Sequence, residues 1–237
     1  MQGKNSNWIG IYKIGGIVAM IFIAYSLVTM IILIVIGGQP ESALEAFDLL
    51  DSNRLIGYLR LDALTTLIVP LYYPLFLSIF VALRKHHISY VTLAALLAFA
   101  GVTLFLATPS GFSLVSLSDK YTAATSLAQK DQFLAAGEAL LASDMWHNTG
   151  AMIGGILMLI ATLIFCVVML YSGVFGKATA AVGILTHGLD LLHIAVGAFS
   201  PQGGVILMAI AGPLYLVWFP LLSRDLFRMG RYDSNES

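Results

Sequence analysis

The stretch ATAAVGILTHGLDLLHIAVGAF, residues 178–199, decides how this chain is read. It is apolar over about the 20 residues that a helix needs to cross a hydrocarbon core. Within it stand His187, Asp190 and His193. Ionisable groups are costly inside a bilayer, and where they occur they face protein or water and mark a working site. At 100° per residue, Gly183, Thr186, His187, Asp190, His193 and Gly197 fall on one arc of about 120°. The remaining face is Leu, Ile, Val and Ala, so the span shows a polar stripe to the protein and an apolar side to lipid or packing.

Five further apolar runs accompany it, at roughly 14–37, 57–83, 88–109, 146–172 and 204–223, giving six spans. The 237 residues are 59% hydrophobic and 11% charged, with mean hydropathy +0.89. Soluble domains carry roughly twice that charged fraction, so lipid is the solvent. The expected fold class is all-α: one transmembrane domain over 1–237, a polytopic six-helix bundle in the cell membrane, with membrane lipids as partners. The first run is too long for a signal-peptide core and reads as an uncleaved signal anchor. A net charge of −1 supplies no field for nucleic acid. The single cysteine, Cys166, excludes an intrachain disulfide and a cysteine-rich metal site, and reads as a small buried hydrophobe.

Lys and Arg set the expected orientation. Lys4, Lys13, Arg84, Lys85, Lys177, Arg224, Arg228 and Arg231 fall on one side; Arg54, Arg60, Lys120 and Lys130 fall on the other. The positive-inside rule then places both termini in the cytoplasm. Trp8, Trp146, Phe199 and Trp218 stand near span ends, as an aromatic belt would have them. The outer connections are long. Segment 39–56 reads as a short helix begun by Pro40-Glu41-Ser42, and 110–145 as one or two amphipathic helices on the outer surface, read as a lid over an outward-facing pocket. Residues 232–237 read as a disordered tail.

Two other spans add polar groups. In the second, Asp62, Tyr58, Thr65, Thr66 and Tyr73 share one side of a continuous helix, while Arg60 points away and either snorkels or pairs with an outer-loop acid. The fourth opens with His147 and Asn148 beside the small pairs Gly150/Gly154 and Ala151/Gly155, a surface suited to close helix contact. By depth, Asp62, His147, Asp190 and His193 converge in the outer half of the bilayer if spans two, four and five are neighbours. The expected pocket is lined by Asp62, Tyr73, His147, Asn148, Asp190 and His193.

The Leu55 to Leu83 and Gly150 to Leu192 segments also carry a resemblance. Arg60-Leu-Asp-Ala-Leu and the segment LYSGVFGKATAAVGIL, residues 170–185, resemble uncharacterised prokaryotic six-span membrane proteins grouped as a domain of unknown function. That resemblance implies a six-helix membrane fold and no activity.

Several chemistries fit such a cluster. A hydrogen-bonded polar core that fixes helix register is the plain one. Two or three His with a carboxylate is also the ligand set of catalytic zinc, with His147, His193 and Asp190 or His187 as metal ligands and Asp62 as base. Haem held by His147 and His193 or His187 fits less well, because His147 stands about 8 Å above His193. The leading expectation is a protein that handles a small molecule or lipid in this pocket, as a metal-dependent hydrolase. The alternatives are a proton-coupled small-molecule transporter using Asp190 and Asp62, and a non-catalytic subunit whose Asp/His cluster only packs.

Overall fold

Proline breaks the second span into pieces. In the computed structural model, which describes residues 8–61, 63–108, 111–143 and 148–235, helix α1 (Ile9–Val35) is followed by α2 (Ala43–Ser52), α3 (Arg54–Arg60) and α4 (Ala63–Ile68). A 3-10 turn over Val69–Leu71 then leads into α5 (Tyr72–Leu83). Pro70 sits in that turn, where its missing N–H and fixed φ suit a local change of winding. The expected single helix from residue 57 is therefore corrected. Tyr58 and Arg60 belong to α3, which ends at Leu61, and the span proper is Ala63–Leu83. Asp62, the expected base, lies outside the described residues.

The chain continues through α6 (Ile88–Leu106), α7 (Phe112–Ala123), α8 (Leu127–Leu141), α9 (Thr149–Ser172), α10 (Lys177–Gly197) and α11 (Pro201–Asn235). Among the described residues, six helical segments are long and apolar enough to cross a membrane: Ile9–Val35, Ala63–Leu83, Ile88–Leu106, Thr149–Ser172, Lys177–Gly197 and Pro201–Arg231. Large apolar side chains stand exposed along them, among them Ile34, Leu67, Leu96 and Val205. In water such a surface would be untenable; against acyl chains it costs nothing. The chain is a polytopic membrane protein. Its last helix passes the expected end at 223 and runs to Asn235, with Pro213 and Pro220 inside it, so the segment expected as a tail begins within helix.

The helices pack as two compact units. One comprises Leu27–Pro70 and Thr103–Gly154. Here α2, α3, α7 and α8 bury Ala43, Ala46, Phe47, Leu50, Leu61, Leu114 and Val115. Helix α2 begins with Ser42, whose hydroxyl accepts from the Glu45 N–H, while the Glu45 carboxylate accepts from the Glu41 N–H at 2.9 Å. This is a variant of the capping box. Arg60 pairs with Glu45 at 2.8 Å and donates to the Gly38 carbonyl, so of the two expected fates it takes the pairing with a loop acid. The α8 backbone comes so close to α2 at Gly137 that a Cβ there would lie 2.7 Å from the Ala43 methyl.

The other unit comprises Met1–Ser26, Leu71–Val102 and Gly155–Ser237. Its core includes Phe22, Phe76, Phe165, Met169, Trp218 and Leu222, with Phe22 stacked on Phe219 at 5.0 Å. Helices α10 and α11 form an antiparallel hairpin. Gly197 meets Gly204 near the turn, and Gly183 meets Trp218 deeper in. Cys166 is fully buried, as a small hydrophobe would be. Trp218 is also buried, at 1% exposure, which corrects its expected place in an interfacial belt.

Candidate functional site

The polar stripe of α10 faces the protein, whereas Leu185 and Leu192 on its other side are exposed. Near its inner-facing middle, Gly183 leaves room that a side chain would close: a methyl there would collide with Cys166 Sγ and lie 2.5 Å from Trp218 Nε1. This lets α9 and α11 approach α10 closely. Thr186 spends its hydroxyl on the Val182 carbonyl one turn back. His187 does likewise through Nδ1, 2.8 Å from the Gly183 carbonyl. Since a carbonyl only accepts, Nδ1 carries the proton. The buried imidazole stands edge-on to Tyr215 at 5.2 Å and to Trp218 at 4.5 Å. Trp218 Nε1 is buried with no hydrogen-bond partner among the described residues.

One turn along, Asp190 gathers a network. Its Oδ2 accepts from the Tyr215 hydroxyl of α11 at 2.6 Å. Its Oδ1 lies 3.0 Å from His193 Nδ1, which also reaches the Asp190 carbonyl at 2.7 Å. Both partners are acceptors, so His193 Nδ1 donates to both. The Asp190 side chain keeps 21% of its surface exposed and that of His193 27%, so neither is sealed off. Asp190 lies seven residues from the end of α10 at Gly197, about 10 Å along the axis. A carboxylate, an imidazole and a phenol thus touch inside a membrane helix pair. Side chains of these three types can hold and exchange a proton.

The other expected site residues fare differently. Asn148 serves as the N-cap of α9: its Oδ1 accepts from the Gly150 N–H at 2.7 Å and its Nδ2 donates to the Ser143 carbonyl at 3.3 Å. Tyr73 packs its ring against Phe99 at 5.7 Å. His147 and Asp62 lie outside the described residues. Among the described residues, no three His, Cys, Asp or Glu side chains come together as a metal site requires. Of the expected ligands His147, His187, Asp190 and His193, the first lies outside the described residues and the other three do not gather at one point. His187 turns Nδ1 back along the helix and presents its ring to α11, while His193 turns its own Nδ1 to Asp190. The small pairs of α9 are also partly corrected, since a Cβ at Gly155 would meet nothing within 4 Å.

Three participants were not assigned these contacts from sequence. Tyr215 and Trp218 are chosen by the packing register of α11 on α10, which no local pattern reveals. Asp225 did leave a signal, being an acid set among Arg224, Arg228 and Arg231. Its fully buried carboxylate accepts from the Gly176 N–H at 2.8 Å and the Thr179 hydroxyl at 2.6 Å, capping the start of α10 from another helix. Arg224 pairs with it at 3.2 Å and Arg228 at 3.7 Å. An anion at that position also complements the helix dipole.

Comparison with family models, with curated proteins and with solved structures finds no match.

Proposed function

We propose that this membrane protein exchanges protons at the Tyr215–Asp190–His193 network and couples that exchange to the passage of a small solute, loosely enough that protons also cross without it. The observation that supports this reading is the contact of one partly accessible carboxylate with a phenol at 2.6 Å and an imidazole at 3.0 Å, within spans. Intramembrane Asp and His are the usual proton carriers of transporters. A metal-assisted hydrolase has less to support it: among the described residues no three His, Cys, Asp or Glu side chains come together.

The test uses the full chain reconstituted into vesicles that enclose the pH dye pyranine, with a potassium–valinomycin potential to drive protons. Wild type is expected to acidify the lumen faster than protein-free vesicles. Asp190→Asn is expected to return the rate to that background while its thermal midpoint stays within a few degrees of wild type. Equal rates for wild type and protein-free vesicles, or for wild type and Asp190→Asn, would sink the proposal. So would a variant that loses its fold in step with its flux, since that is the signature of packing alone.

A further inference from the structure

At the corner where α5 ends, the chain Arg84-Lys85-His86 meets the α9–α10 turn and the basic end of α11. Together they enclose a cavity of about 340 Å³, lined by Trp8, Tyr12, Arg84, Lys85, His86 and Arg228 among others. Among the described residues that line it there is no carboxylate, and the Asp225 carboxylate beside Arg228 is fully buried. The two arginines are held in place rather than loose. The Arg84 guanidinium lies over the Trp8 ring, 4.3 Å from its centroid. Arg228 donates to the Val174 carbonyl at 3.0 Å, so its guanidinium is anchored at the rim. Fixed guanidiniums lose little entropy on taking up an anion and offer paired donors to phosphate oxygens. Trp and Tyr beside them suit the headgroup level of a bilayer.

A second recess flanks the same corner. Beyond His86 the chain turns at His87, in the left-handed region at φ 49°, into α6. There His87, Tyr90, Leu163, Val167 and Tyr171 line an apolar groove of about 350 Å³ between α6 and α9. The pairs 86/87 and 171/174 thus contribute to both recesses: a cationic cavity on one side, an apolar groove on the other. One kind of molecule carries both complements, a phosphate beside an acyl chain.

We propose that this corner is a binding site for an anionic phospholipid, its phosphate in the cavity bounded by Arg84, Lys85 and Arg228 and an acyl chain along the groove beside Tyr90 and Tyr171. The site belongs to the face that the Lys and Arg distribution assigns to the cytoplasm, where anionic lipids concentrate. It is independent of the proton network.

The test is native mass spectrometry of the full chain in detergent, titrated with dioleoyl phosphatidylglycerol or with dioleoyl phosphatidylcholine. Phosphatidylglycerol is expected to bind about tenfold more tightly, since each surface cation contributes several-fold to the attraction of an anionic lipid. Arg84→Gln with Lys85→Gln is expected to bring the two lipids level. Lys120→Gln with Lys130→Gln, an equal loss of charge elsewhere, is expected to keep the preference. If the first pair unfolds, Lys85→Gln alone at its exposed position is expected to narrow the preference several-fold. Equal binding of the two lipids by wild type overturns the site, as does an unchanged preference in the folded Arg84/Lys85 or Lys85 variant. Displacement of phosphatidylglycerol by millimolar inorganic phosphate overturns the lipid assignment in favour of a soluble anion.

Discussion

At the level of single residues, Asp190 and His193 were legible from sequence because i and i+3 share a helix face. Their third partner was not. Tyr215 becomes a partner only through the register of one helix on another. Tyr215→Phe removes one donor to the carboxylate and leaves the ring packing in place. Hydrogen bonds between membrane helices are weaker than their apolar surroundings suggest, so the expected loss is about 0.5–2 kcal/mol. Thermal unfolding in detergent measures it, and a larger loss would mean that the phenol does more than donate to Asp190. Gly183 is a sharper case. Gly183→Ala places a methyl against Cys166 Sγ and the rigid Trp218 indole. Overpacking of this kind costs about 1–3 kcal/mol. Adding Cys166→Gly is expected to recover only part of that, because Trp218 still blocks the methyl; full recovery would show that the indole yields.

At the level of elements, periodicity and hydropathy located the spans, because crossing a bilayer demands length and apolarity that nothing else in the sequence imitates. They misread the second one. Pro70 accounts for the 3-10 turn inside it, but the break at Leu61 and the helix α3 before it depend on how Gly57 and Leu61 pack under Leu50 and Gly111. The capped start of α2 makes a pH prediction. The Glu41 N–H and then the Arg60 guanidinium hold the Glu45 carboxyl below the ordinary carboxylate value. A lowered folded-state value means stability that is present above the unfolded carboxylate range and lost as pH falls through the folded one. Amide exchange in Ala43–Ser52, corrected for intrinsic rates, is therefore expected to be slow at neutral pH and to quicken below the carboxylate range. Glu45→Gln is expected to abolish that dependence; an unchanged profile would assign it to other acids.

At the level of the whole molecule, the sequence could say that six segments enter lipid but not which helices touch, since most of their surface is apolar on every side. Contact is decided by small residues such as Gly15, where a side chain would run into Ser78 of α5 and Leu226 of α11, and by the Ser223 hydroxyl bonded to the Gly16 carbonyl at 2.9 Å. Orientation remains a charge argument. In a Cys166→Ala background, Lys85→Cys is expected to react with an impermeant maleimide only after the membrane is opened, and Lys130→Cys is expected to react in intact cells. The reverse pattern would invert the molecule.

The carboxylate of Asp225 has one more consequence, in the order of synthesis. Helix α10 is synthesised before residue 225, so the Gly176 N–H and the Thr179 hydroxyl are made before their acceptor. The turn between α9 and α10 is completed from behind, by a helix translated later. A nascent chain halted anywhere before α11 would leave that end of α10 open, a recognisable mark of an unfinished protein.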